Sequence, residues 1–155
     1  RGYREYRILS GNDTIVSGTS LWLYINLASK ALCRVPADLA QRFPANTPPM
    51  FDPGIDRLAL AAPAAEGRRT FPVTVRYSDL DANGHVNNTA YVDFLQTALV
   101  RAGLSHTPSR VQLKFVREIP PDTEAVSVAL APNGDGTRFA IEQGDTLFAV
   151  GQVGS

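Results

Sequence analysis

Asp81, Asn83 and His85 occupy alternate positions in a short polar stretch, with Gly84 between the last two. A carboxylate, a carboxamide and an imidazole so close together can orient, hold and move a proton. His85 can accept or donate one near neutral pH. Asp81 can orient a partner or a water, and Asn83 can hold a water or an oxyanion without titrating. Gly84 lets a substrate approach the backbone closely. A strand pattern runs into this stretch and a helix pattern runs out of it. The first N–H groups of that helix, near Gly84, His85 and Val86, are therefore expected to lack internal partners and to carry the positive end of the dipole. Such a site polarises a carbonyl oxygen, and an ester or thioester carbonyl could lie there. Asp and Asn are also favoured helix N-caps. Asp79, Asp81 or Asn83 alone would read as a cap, and Asn87 and Asn88 as partners of nearby backbone. One cap does not require Asp, Asn and His together beside a glycine.

The elements that must position these groups are legible on both sides. Phe71, Val73, Val75 and Tyr77 alternate with Thr74 and Arg76, as on a strand with one apolar face. After the turn, Val86, Ala90, Tyr91, Phe94, Leu95, Ala98, Leu99 and Ala102 recur at three- and four-residue spacing. That predicts a helix with a broad apolar stripe, ended by Gly103. Four strands are expected next, at residues 111–116, 123–131, 137–143 and 146–153. Pro120 and Pro121 stop the first, and Val126, Val128 and Leu130 share a face of the second. The run 132–136, PNGDG, is a strong hairpin turn, and Gly144-Asp145 is another. One strand, one long helix and four strands make an α+β domain, its helix laid on an antiparallel sheet.

Ahead of this domain, residues 3–10 and 14–27 read as a hairpin about the turn Gly11-Asn12-Asp13. An isolated hairpin is barely stable, so these strands need a sheet to join. Residues 37–69 hold Pro44, Pro48, Pro49, Pro53 and Pro63. That density defeats helix and sheet interiors. The stretch reads as a linker between two units, with a short helical turn at residues 36–42.

Composition excludes several function classes. Lys plus Arg and Asp plus Glu number 15 each, so there is no basic excess to neutralise phosphates and no nucleic-acid partner is expected. No apolar run reaches membrane-spanning length, and no membrane partner is expected. The single cysteine, Cys33, allows neither an intrachain disulfide nor a cysteine-based metal site. It fits a reducing, cytoplasmic setting.

The stretch RYSDLDANGHVNNTAYVDF resembles the second half of the acyl-acyl-carrier-protein (acyl-ACP) thioesterases. These are tandem hotdog-fold enzymes that hydrolyse the thioester of a fatty acyl chain on acyl carrier protein. The family pattern of Asp-Leu-Asp, Asn, His-Val-Asn-Asn and Tyr stands here as Asp79-Leu80-Asp81, Asn83, His85-Val86-Asn87-Asn88 and Tyr91. The run LKFVRE, residues 113–118, resembles the family strand that ends in a site glutamate, which implies that role for Glu118. Plant members carry a cysteine after that glutamate. Ile119 stands here instead, which implies water as the nucleophile, activated by Glu118 or His85. Residues 18–36, with Trp22 as a packing residue, look like the last strands of a first hotdog unit. The division implied is residues 1–36 from an incomplete first unit, 37–69 as linker and 70–155 as the second hotdog domain.

The resemblance implies a catalytic set of Asp81, Asn83, His85 and Glu118, with Gly84 and Val86 at the substrate oxyanion. It implies no metal and no cofactor, an acyl carrier protein as partner, and side-by-side pairing of hotdog sheets. Two other readings share the fold: an acyl-CoA thioesterase of the 4-hydroxybenzoyl-CoA type, and a module that binds acyl chains without cleaving them.

Overall fold

A computed structural model describes residues 2–29, 31–43, 55, 57 and 59–154. The chain divides into two compact units, Arg1–Ala59 and Leu60–Ser155. In the first, β1 (Gly2–Ser10) and β2 (Asp13–Trp22) pair antiparallel. Gly11 takes the positive φ of 59° that turns the hairpin. The Arg4 guanidinium lies 4.6 Å over the Trp22 ring, whose indole N–H donates to Ser20 Oγ at 2.7 Å. The hairpin leaves Tyr3, Tyr6, Ile8, Leu9, Ile15 and Val16 exposed. The extended pattern expected to reach residue 27 stops at Trp22, and only an isolated bridge between Ile25 and Leu32 follows. The expected helical turn is α1 (Ala37–Gln41). Pro44, Pro48, Pro49 and Pro53 lie outside the described residues.

The second unit is a long helix packed on a five-stranded antiparallel sheet. Its strands are β3 (Arg69–Thr74), β4 (Arg110–Phe115), β5 (Ala125–Asn133), β6 (Gly136–Gln143) and β7 (Thr146–Gly154). They lie in the order β3-β5-β6-β7-β4. The helix α2 (Asn88–Ala102) joins the two edge strands. Ala90, Tyr91, Phe94, Leu95, Ala98 and Leu99 form its buried face. They meet Val126, Val128 and Leu130 of β5 and Phe139 and Ile141 of β6. Burial of Phe94, Leu95 and Leu99 contributes about 2 kcal/mol each. On the opposite face Ala129, Ala140 and Val150 are buried with Leu60 and Leu147 packed against them. Arg68 pairs with Glu142. Leu60 and Arg68 therefore belong to the second unit, although they precede β3.

Three expectations need correction. Tyr77 does not share the inner face of β3. The β3–β5 ladder ends at Thr74 opposite Ala125, and Tyr77 begins a 3-10 turn with its side chain 92% exposed. Val86 is buried but lies outside the helix, bridged to Leu80. The helix starts two residues later, where the Asn87 side chain accepts from the Thr89 N–H at 2.9 Å and acts as N-cap. The hairpin turn after β5 is also tighter than the run 132–136, because Pro132 and Asn133 pair with Thr137 and Gly136. At the other end, Gly103 is the left-handed C-cap, its N–H donating to Val100 O at 3.0 Å. Among the described residues no helix is long and apolar enough to cross a membrane.

Candidate active site

The polar stretch forms a loop pinched at its neck by the Leu80–Val86 bridge. Asp79 builds that neck. Its carboxylate accepts from the Arg76 N–H at 2.8 Å and from the Arg76 guanidinium at 2.8 Å. Its carbonyl accepts from the Asn87 N–H at 2.8 Å. Burial pushes the Asp79 carboxyl up, but the Arg76 hydrogen bonds and charge outweigh this and hold it below the usual carboxylate range. The two aspartates of the Asp-Leu-Asp run thus separate. Asp79 points inward and fastens the chain; Asp81 faces the histidine.

Within the loop, the Asp81 N–H donates to His85 O at 3.0 Å and the Gly84 N–H to Asp81 O at 3.1 Å. Asn83 gives both its backbone N–H and its side-chain amide to the Asp81 carboxylate, at 2.8 and 3.1 Å. Asn83 is therefore engaged in holding Asp81, a role that alternate spacing alone did not distinguish from holding a water. The Asn83 N–H bond is the largest cause that keeps the Asp81 carboxyl below its ordinary range. Gly84 adopts φ 79°, and a Cβ there would meet nothing within 4 Å. Open space, not packing, adjoins this glycine.

His85 stands between two carboxylates from different elements. Its Nδ1 is 3.8 Å from Asp81 Oδ1, and its Nε2 is 3.8 Å from Glu118 Oε1. Both separations exceed a direct hydrogen bond and suit an ion pair or a bridging water. Glu118 arrives from the segment after β4. There the Val116 and Arg117 N–H groups both donate to Phe148 O, at 2.8 and 3.1 Å, which ends the β4–β7 ladder. The Val86 N–H then donates to Ile119 O at 3.1 Å and ties the histidine loop to the glutamate segment. The structure thus brings Asp81, Asn83, His85 and Glu118 together at one loop.

The backbone N–H groups expected at the substrate oxyanion have partners within the protein. The N–H groups of Gly84 and Val86 are taken by Asp81 and Ile119 carbonyls, and both residues precede the first turn of α2. Among the described residues the His85 N–H meets no backbone carbonyl; it is directed at the Asp81 carboxylate and helps to hold that group ionised. Among the described residues no group of three His, Cys, Asp or Glu side chains is arranged to hold a metal ion.

Two contributions were not anticipated as part of the site: the Asp79–Arg76 fastening and the hydroxyl of Tyr91. Tyr91 is 2% exposed, and its hydroxyl bonds the backbone on both sides of Glu118. A phenol hydroxyl within an otherwise apolar helix stripe is the signal for it, since a buried tyrosine needs a partner for its hydroxyl.

The helix laid on this antiparallel sheet is the hotdog fold of thioesterases. A 12:0-ACP thioesterase from Umbellularia californica superposes with a TM-score of 0.70 at 18% identity, over 96% of this chain and 58% of that one. An acyl-ACP thioesterase from Bacteroides thetaiotaomicron does so with a TM-score of 0.68 at 17% identity, over 97% and 61%. In sequence, the chain is 25% identical over 151 residues to a chloroplastic palmitoyl-acyl carrier protein thioesterase from Gossypium hirsutum. That match covers 93% of this chain and 36% of the relative, so the chain spans about a third of its length. Residues 64–147 match the family described as acyl-ACP thioesterase C-terminal domain. The chain belongs to that family.

Proposed function

We propose that this protein hydrolyses the thioester of a fatty acyl chain carried on acyl carrier protein, with water as nucleophile. The observation that carries the proposal is the position of His85 between Asp81 and Glu118, 3.8 Å from each. Asp81 opposite Nδ1 favours the tautomer protonated there, which leaves Nε2 as an acceptor. Nε2 and the Glu118 carboxylate are then two acceptors facing each other. A water between them donates one O–H to each and turns its lone pairs outward.

That water oxygen attacks the thioester carbonyl carbon as the His85–Glu118 pair takes its proton. The carbonyl oxygen gains negative charge beside Gly84, whose missing side chain leaves the backbone open to it. The tetrahedral intermediate collapses, the C–S bond breaks, and the sulfur leaves with the proton held by the pair. The products are a free fatty acid and the carrier thiol. Asn83 acts on Asp81, and Asp81 on the imidazole. In the same proposal residues 1–36 are the closing strands of a first hotdog unit.

The test compares thiol release from palmitoyl-ACP and palmitoyl-CoA by the protein and its Asp81→Ala and His85→Ala variants. The proposal expects hydrolysis with preference for the carrier-bound substrate, lost in both variants. Preference for the CoA ester would support the CoA-thioesterase reading. Binding of palmitoyl-ACP without hydrolysis would support the acyl-binding module.

A further inference from the structure

Glu118 has little to hold it in place. Its side chain is 65% exposed, and it follows the end of the β4–β7 ladder, where two successive N–H groups share the Phe148 carbonyl. Its neighbours are nonetheless fixed by one group from another element. The Tyr91 hydroxyl donates to Arg117 O at 3.3 Å and accepts from the Ile119 N–H at 3.1 Å. One oxygen atom therefore grips the backbone immediately before and immediately after Glu118. The Tyr91 ring is buried on α2 and meets the Phe115 ring edge-on, with centroids 5.1 Å apart. The grip is thereby anchored in the core beneath the last residue of β4. Burial raises the Tyr91 hydroxyl above its ordinary titration range, so it keeps the proton it donates.

We infer that Tyr91 is a positioning residue: its hydroxyl sets the backbone of residues 117–119 so that the Glu118 carboxylate faces Nε2 of His85. This rests on the role given to Glu118 above. Tyr91 acts through Glu118 and touches no reacting atom. The Val86 N–H, which bonds Ile119 O, fixes the same segment to the histidine loop. Tyr91 and Val86 together leave the Ile119 peptide groups satisfied on both sides. Loss of the hydroxyl frees the Arg117 carbonyl and strands the Ile119 N–H, and the segment relaxes away from His85.

The test is a cycle of Tyr91→Phe, Glu118→Ala and the double variant, with kcat and KM measured on an acyl-ACP substrate. Tyr91→Phe is expected to lower kcat by about 10- to 100-fold, as expected for a displaced catalytic group, with KM within about twofold. The double variant should be no slower than Glu118→Ala alone, which a purely structural tyrosine would not produce. 4-Aminophenylalanine at position 91 keeps a donor and acceptor in place and should recover part of the rate, which also covers the case of a Phe variant that fails to fold. Wild-type kcat in a folded Tyr91→Phe, no recovery by 4-aminophenylalanine, or an equal loss in the Glu118→Ala background would overturn the inference. Full activity of Glu118→Ala would instead remove the role of Glu118 itself, and the inference with it.

Discussion

His85 Nε2 and Glu118 Oε1 face each other across 3.8 Å, although one residue belongs to the loop before α2 and the other to the segment after β4. Groups that act as one proton acceptor do not contribute independently. His85→Ala and Glu118→Ala should each lower kcat by at least about 100-fold, and the double variant should be scarcely slower than the worse single one. Steady-state thiol release, with circular dichroism to establish folding, measures this. Fully multiplicative losses would show two groups working apart.

The approach of these two residues shows what was and was not legible in the sequence. The apolar stripe of α2, its Gly103 cap and the β5–β6–β7 hairpins are local patterns, and they form largely where the residues predict. The end of β3 is not local. Alternation continues through Tyr77, but the Asp79 carboxylate captures the Arg76 N–H and starts a 3-10 turn. The start of α2 is ambiguous because several Asp and Asn residues could cap it, and Asn87 does so. Glu118 enters through strand register and loop closure, which no spacing within residues 81–85 encodes. Only the likeness of LKFVRE to a family strand pointed to it.

Asn83 and Asp81 give a second prediction, in pH. The Asn83 hydrogen bonds, and lesser contributions from His85, hold the Asp81 carboxyl below its ordinary range. Asp81 therefore stays ionised as the pH falls through the usual carboxylate value of about 4, and it should protonate only below it. Asn83→Ala should move that titration upward. Carbon-13 NMR of the Asp81 carboxyl, read alongside kcat, measures the change. An unmoved titration would mean that Asn83 does not hold Asp81.

Asp79 gives a third, in stability. Its folded-state pKa is depressed, so its contribution is complete above the unfolded value near 4 and is lost as the pH falls through the folded value. Asp79→Asn should cost about 2 kcal/mol at pH 7, the scale of hydrogen bonds to a charged group. The gap from the parent protein should shrink toward pH 3. Urea unfolding at the two pH values tests this, and a gap independent of pH would show that the charge of Asp79 contributes nothing.

Gly84 and Gly103 separate strain from function. Both hold positive φ, 79° and 72°, and a Cβ on either would meet nothing within 4 Å. Alanine at each should therefore cost a similar left-handed strain, about 1–2 kcal/mol, with no clash. Gly103 ends α2, whereas Gly84 lies in the loop between Asp81 and His85. Gly84→Ala should also place a methyl group where the thioester oxygen must approach. It should lower kcat/KM by about 10-fold or more, the scale of a displaced reacting group. Gly103→Ala should match it in unfolding free energy and retain the parent rate. Comparable rates in the two variants would remove the open backbone at Gly84 from the proposed mechanism.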